Sequence, residues 1–123
     1  MNGSSLVVDT NIVLYLFDGD MTVASMLHGR NIHLSFISEI ELLGFSGITH
    51  EQRELSRKFI GDSIVIDLND SIKRATIELR IKYSLKIPDA IIAASALYMN
   101  LPLISADREF EKVSELQFIK YEL

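Results

Sequence analysis

The 123 residues, 48% of them apolar, are expected to form one domain with enough hydrophobic surface to close a core unaided. Cysteine is absent, which excludes a disulfide framework and any thiolate metal site and fits a reducing compartment. A net charge of −5, from 17 acids against 12 bases, argues against gripping phosphate backbones by bulk positive charge but is compatible with acids gathered around a metal.

Along the chain, short β-like runs alternate with helical ones. The first five residues are polar, with no basic start before an apolar run, so no targeting segment is expected. Leu6-Val7-Val8 reads as a strand ending at Asp9. Residues 11–17 read as a helix stopped near Gly19, and residues 22–28 as a second short helix closed by Gly29. Ile32-His33-Leu34-Ser35-Phe36 alternates as a strand does, and residues 38–45 then look helical, ending by Gly47. Residues 50–60 form a helix with Thr49 and Gln52 placed as a capping box and Gly61 as its stop. Ile64-Val65-Ile66 is a strand. The longest helix is expected over 71–85, with Ile72, Ala75, Leu79 and Ile81 on its apolar side. Pro88 suits the first turn of a helix over 89–99, whose alanines and isoleucines leave almost no polar face. Residues 103–105 are a strand, 108–113 a short helix and 117–121 a last strand.

Strands alternating with helices argue an α/β domain of three layers, a mostly parallel sheet flanked by helices. The longest apolar stretch, residues 90–99, is well short of the roughly 20 residues of a membrane span, so a soluble cytoplasmic protein is expected.

Four acids share one local setting. Asp9 and Asp107 each follow a strand and precede a helix, while Glu41 and Asp89 fall in expected first helical turns. In an open α/β sheet, ligand sites form beyond the carboxyl ends of the strands, so these acids can converge on one point. Clustered carboxylates repel one another, and a hard cation such as Mg²⁺ or Mn²⁺ relieves that repulsion. Each acid also has a structural explanation. Asp9 and Asp107 can cap helices, Ser38-Glu39-Ile40-Glu41 matches the capping-box pattern, and Asp89 suits the helix dipole. Glu39 and Glu41 lie about 200° apart on a helix, so only one of them can face a common centre.

Val7-Val8-Asp9-Thr10-Asn11 resembles the opening of a PIN domain. Ser35-Phe36-Ile37-Ser38-Glu39-Ile40-Glu41-Leu42 resembles its second motif, with the functional acid at Glu41. Pro88-Asp89-Ala90-Ile91-Ile92-Ala93-Ala94-Ser95-Ala96 and Leu103-Ile104-Ser105-Ala106-Asp107-Arg108-Glu109-Phe110 resemble the third and fourth, and the 18-residue separation of their acids suits the family. The likeness is to the small VapC-like toxins of bacterial toxin–antitoxin pairs. It implies an endoribonuclease using Mg²⁺ or Mn²⁺, with Asp9, Glu41, Asp89 and Asp107 as its metal-binding and catalytic acids. Asn11, Ser38 and Ser105 have the chemistry to orient those carboxylates by hydrogen bonds. Glu109 is a candidate auxiliary acid, and Lys86 and Arg108 are candidate RNA contacts. Ala106 departs from the polar residue that relatives often carry. The resemblance also implies a homodimer and a VapB-like antitoxin wrapped over a groove, for which the short helices at 11–17 and 22–28 are suited.

The alternative is a catalytically silent PIN-like module that binds RNA or protein. Phosphotransfer readings fit less well. A dehalogenase-like phosphatase wants a second Asp where Asn11 stands, and a receiver domain wants a late-strand Lys that Ser105-Ala106-Asp107 lacks. His28, His33 and His50 follow no ligand spacing and read as surface or edge residues, and Met21, Met26 and Met99 as core or interface filler. The charge is unevenly placed. Residues 1–49 hold 5 acids and 1 base, residues 50–87 hold 6 and 8, and residues 88–123 hold 6 and 3. The two acidic segments are the ones that supply the four candidate acids.

Overall fold

Five short strands form a parallel sheet in the order β3-β2-β1-β4-β5, with β1 at Ser5–Val8, β2 at Asn31–Ser35, β3 at Ile64–Ile66, β4 at Leu103–Ser105 and β5 at Phe118–Lys120. The computed structural model describes residues 4–122; residues 1–3 of the stretch expected to carry no targeting signal lie outside the described residues, as does residue 123. Parallel neighbours need crossover connections, and helices supply most of them. Helices α1 (Thr10–Phe17) and α2 (Met21–Leu27) join β1 to β2; α3 (Phe36–Leu43) and α4 (His50–Gly61) join β2 to β3; α5 (Asp70–Tyr83) and α6 (Ile87–Met99) join β3 to β4. A 3-10 turn at Arg108–Lys112 leads to β5.

Alternation along the strands divides the core in two. Leu6, Val8, Leu34 and Ile104 pack on one side with Ile12, Val13, Val23, Leu27 and Ile60 of α1, α2 and α4. Val7 and Leu103 turn the other way, to Ile72 and Leu79 of α5, Ala90, Ile92, Ala93, Ala94 and Ala96 of α6, and Phe110. These are the three layers expected from the sequence, with a sheet wholly parallel rather than mostly so. The alanine-rich α6 is buried on most of its surface, as its composition requires. It ends at Asn100, whose left-handed backbone (φ 55°) suits an asparagine. No helix among the described residues is long and apolar enough to cross a membrane.

Several local expectations are corrected. Helix α3 begins at Phe36, not Ser38, because the Ser35 hydroxyl accepts the Ile37 N–H at 3.2 Å and ends the strand one residue early. The capping box assigned to Ser38 and Glu41 is therefore absent, and Glu41 sits in the second turn. The box at Thr49 and Gln52 is present, but Gly61 is the last residue of α4 and not its stop. Ile81 is 74% exposed; it lies nine residues after Ile72, roughly half a turn around the helix from it. The segment over 108–113 is a 3-10 turn, not an α-helix, and ends at Lys112. His33 is buried because β2 lies inside the sheet; its Nδ1 is 3.3 Å from the Asn31 carbonyl oxygen. Met21 is no core residue at 82% exposure.

Candidate active site

The sheet order reverses beside β1. The chain steps outward from β1 to β2 and β3, then crosses to β4 and β5 on the opposite side. A crevice opens at the carboxyl ends of strands where such a reversal occurs. Asp9 follows β1 and Asp107 follows β4, the two strands that flank this point. The Asp9 N–H donates to the Ile104 carbonyl at 3.0 Å, which fastens the end of β1 to β4. Here lies a cleft of about 460 Å³, lined by Asp9, Thr10, Asn11, Glu41, Asp89 and Asp107 with Leu14, Phe45 and Ile92.

Each acid reaches the cleft by a local cause. Asp9 and Asp107 are N-caps, of α1 and of the 3-10 turn, and each accepts a backbone N–H there, from Thr10 at 2.8 Å and from Glu109 at 2.9 Å. Capping and facing the cleft are compatible, since one carboxylate oxygen suffices for a cap. Asp89 stands in the first turn of α6, just after Pro88. Glu41 lines the cleft and Glu39 is not among its lining residues.

Hydroxyl groups tie these elements together. Ser105, fully buried, donates to Asp9 Oδ2 at 2.6 Å and accepts the Asp107 N–H at 2.9 Å. Asn11 Nδ2 approaches the Ser105 hydroxyl oxygen at 3.5 Å, and Asn11 Oδ1 accepts the Ala106 N–H at 3.4 Å. That last bond is a backbone one, so Ala106 takes part despite its apolar side chain. Thr10 Oγ1 lies 2.5 Å from Glu41 Oε1 and 2.9 Å from Ser38 Oγ. Thr10 carried no expected role beyond its place in a motif. No spacing in the sequence connects it to an acid 31 residues away.

The electrostatics are those of uncompensated negative charge. Asp9 is only 7% exposed, and burial is the main cause that pushes its carboxyl from 3.8 up to about 6; the bonds from Ser105 and Thr10 oppose the rise, and Asp89 and Glu41 add to it. Asp89 is also raised, first by burial and then by Asp107, with Lys86 acting in the opposite sense. No residue lining the cleft is basic. Among the described residues no three His, Cys, Asp or Glu side chains are grouped closely enough to hold a metal ion together. The four acids thus share a cleft without meeting at one point. Repulsion of about 4 kcal/mol per pair at 4 Å, for an effective dielectric near 20, opposes any closer approach.

The remaining expected residues lie outside this lining. Glu109 accepts a 2.6 Å bond from Lys112, although its charge still reaches Asp89. Arg108 is exposed and pairs with Glu111 at 3.5 Å. Lys86 is exposed at the start of α6.

Ser105→Ala would take a donor from Asp9 and an acceptor from the Asp107 N–H. The Asp9 carboxyl should then rise further above about 6, because the lost bond is one that lowers it. An NMR titration of the Asp9 side chain checks this, and an unchanged midpoint would refute it.

The sequence model of the PIN domain matches residues 6–116. Among curated proteins none matches. Of solved structures, a toxin–antitoxin complex from Klebsiella pneumoniae is similar at 27% identity, with a TM-score of 0.84 over 96% of this chain and 99% of that one. VapBC2 from Rickettsia felis, bound to a promoter DNA fragment, has a TM-score of 0.84 at 19% identity, covering 96% and 99% of the two chains. VapBC-1 from nontypeable Haemophilus influenzae has 0.78 at 24%, covering 94% and 97%. The fold, its strand-end cleft and the match along nearly the whole chain agree: the protein belongs to the PIN domain family.

Proposed function

We propose that the protein is an endoribonuclease dependent on Mg²⁺ or Mn²⁺ and the toxin half of a toxin–antitoxin pair. One observation carries this reading: four carboxylates from four separate segments, three at element starts and Glu41 in the second turn of α3, line one cleft at the sheet's switch point, with no basic residue among its lining. The donor set is wholly oxygen, and two of its members, Asp9 and Asp89, are raised above the ordinary carboxylate range first by burial and then by neighbouring acids. That chemistry fits a hard divalent cation. Asp9, Glu41, Asp89 and Asp107 would hold it. Bound there, such an ion would make a water easier to deprotonate and offset the charge of a phosphodiester.

The chain's own residues would do the rest. Ser105 and the Thr10 N–H fix both oxygens of Asp9, and the Glu109 N–H fixes one oxygen of Asp107. Leu14, Phe45 and Ile92 give the cleft an apolar wall beside the acids, against which a nucleobase can rest. Lys86 and Arg108, both exposed, are proposed to meet flanking phosphates. The antitoxin reading is supported by neighbours solved as toxin–antitoxin complexes and by the apolar Leu14, Phe17 and Leu55, which border a hollow continuing from the cleft. A homodimer is proposed from the same resemblance.

A second reading is favoured by the spread of the carboxylates: a silent PIN-like module that binds RNA or protein without metal. One experiment separates the two. Purified protein, sized by light scattering, is titrated with Mn²⁺ by calorimetry and assayed on single-stranded RNA. Mn²⁺ binding, cleavage lost to chelator and restored by Mg²⁺ or Mn²⁺, and a dimer mass are expected. Cleavage that survives chelation would overturn the metal-dependent reading, and a silent calorimeter with no cleavage would establish the binding module.

A further inference from the structure

We infer that Thr10 is a positioning residue that sets the Glu41 carboxylate through a hydroxyl relay from Ser38. This rests on the reading of the cleft as a metal site. A threonine hydroxyl has one proton. With Glu41 Oε1 at 2.5 Å and Ser38 Oγ at 2.9 Å, the charged partner takes that proton, and Thr10 accepts from Ser38 in turn. The relay thus runs Ser38 to Thr10 to Glu41, each bond polarising the next.

Its two ends differ in freedom. Ser38 is fully buried, whereas Glu41 is exposed at the cleft mouth. The two lie three residues apart on α3 and so share a face. Thr10 is the first residue of α1, directly after Asp9. The Asp9 carboxylate is held independently by Ser105 and the Thr10 backbone N–H. Glu41 has no other hydrogen-bond partner and no ion pair among the described residues. The Thr10 hydroxyl is therefore what keeps an exposed, flexible glutamate aimed into the cleft, leaving Oε2 for a ligand. It also links the helix that follows Asp9 to the helix that carries Glu41.

Thr10→Val keeps the shape and removes the proton; Thr10→Ser keeps the proton. In metal-free protein labelled with ¹³C-glutamate, the Glu41 side-chain carboxyl resonance should shift in Thr10→Val and stay near the parent's in Thr10→Ser. Mn²⁺ affinity by calorimetry should fall about tenfold or more in Thr10→Val, the usual effect of removing an orienting partner, and recover in Thr10→Ser. Cleavage should fall through kcat, with KM for RNA little changed. Melting curves confirm that both variants fold. A Glu41 resonance unmoved by Thr10→Val overturns the relay whether or not the parent binds metal. A resonance that moves in a parent unable to bind Mn²⁺ keeps the relay and removes the metal reading. Equal loss in both variants would assign Thr10 a packing role and overturn the inference.

Discussion

Asp9→Asn should abolish cleavage and at the same time make the metal-free protein more stable at pH 7.5. The sign follows from the direction of the shift. Asp9 moves from 3.8 to about 6 on folding, so between those values the folded chain binds more protons than the unfolded one. Its contribution is fully present below pH 3.8 and is lost as pH rises through about 6. At pH 7.5 the ionised, buried carboxylate costs roughly 3 kcal/mol, by order of magnitude. At about 4 °C per kcal/mol for a domain of this size, Asp9→Asn gains up to ~12 °C in Tm. The difference in Tm between variant and parent should be small near pH 4 and grow through pH 6, a profile that subtracts the other titrating groups. A variant no more stable than the parent at pH 7.5 would contradict the burial argument. Saturating Mn²⁺ should close the gap from the other side, by stabilising the parent and not the variant.

Such a trade is what a binding site requires. Charge is held where the empty fold would rather not have it, and a ligand or a mutation can each remove the cost. Three of the four acids were legible as cleft residues because each follows or opens an element whose start is marked by local chemistry, whereas Glu41 lies in the second turn of α3. Asp9 and Asp107 follow apolar strand runs, and Pro88 announces the turn that carries Asp89. Their gathering in one cleft, though not at one point, also followed from the α/β alternation, since parallel strands put all their carboxyl ends on one side. The start of α3 was not legible. Ser35 and Ser38 are both able to cap, and only the fold shows that Ser38 is committed to Thr10 instead. Nor was the Thr10–Glu41 bond, which depends on two helices meeting 31 residues apart. The exposure of Ile81 lay within reach of helical periodicity, and its assignment to the apolar side missed that. The burial of His33 was beyond reach, because it depends on β2 lying between β1 and β3 and not at an edge.

Phe110→Ala carries the largest expected cost to the fold, and it bears on the site as well. Asp107 opens a 3-10 turn of five residues, a kind of element with little stability of its own. Its ion pairs, Arg108–Glu111 at 3.5 Å, Lys112–Glu109 at 2.6 Å and Lys120–Glu111 at 3.6 Å, are all at least partly exposed and worth at most about 1 kcal/mol each. What anchors the turn is Phe110, which has no exposed surface, packs with Val113, Leu116 and Leu103, and lies 5.9 Å from the Phe118 ring on β5. Truncating a fully buried phenylalanine costs about 3–5 kcal/mol. Tm should fall by roughly 12–20 °C. Arg108→Ala, on the same turn, should move it by no more than about 4 °C. Because the Asp107 carbonyl receives the Phe110 N–H, at 3.4 Å, a loosened turn also releases the acid at its start. Phe110→Ala, assayed below its own Tm, should therefore lose cleavage out of proportion to the fraction unfolded, while Phe110→Leu, which keeps most of the volume, should retain both. Equal melting temperatures for Phe110→Ala and Arg108→Ala would place the anchor of Asp107 elsewhere.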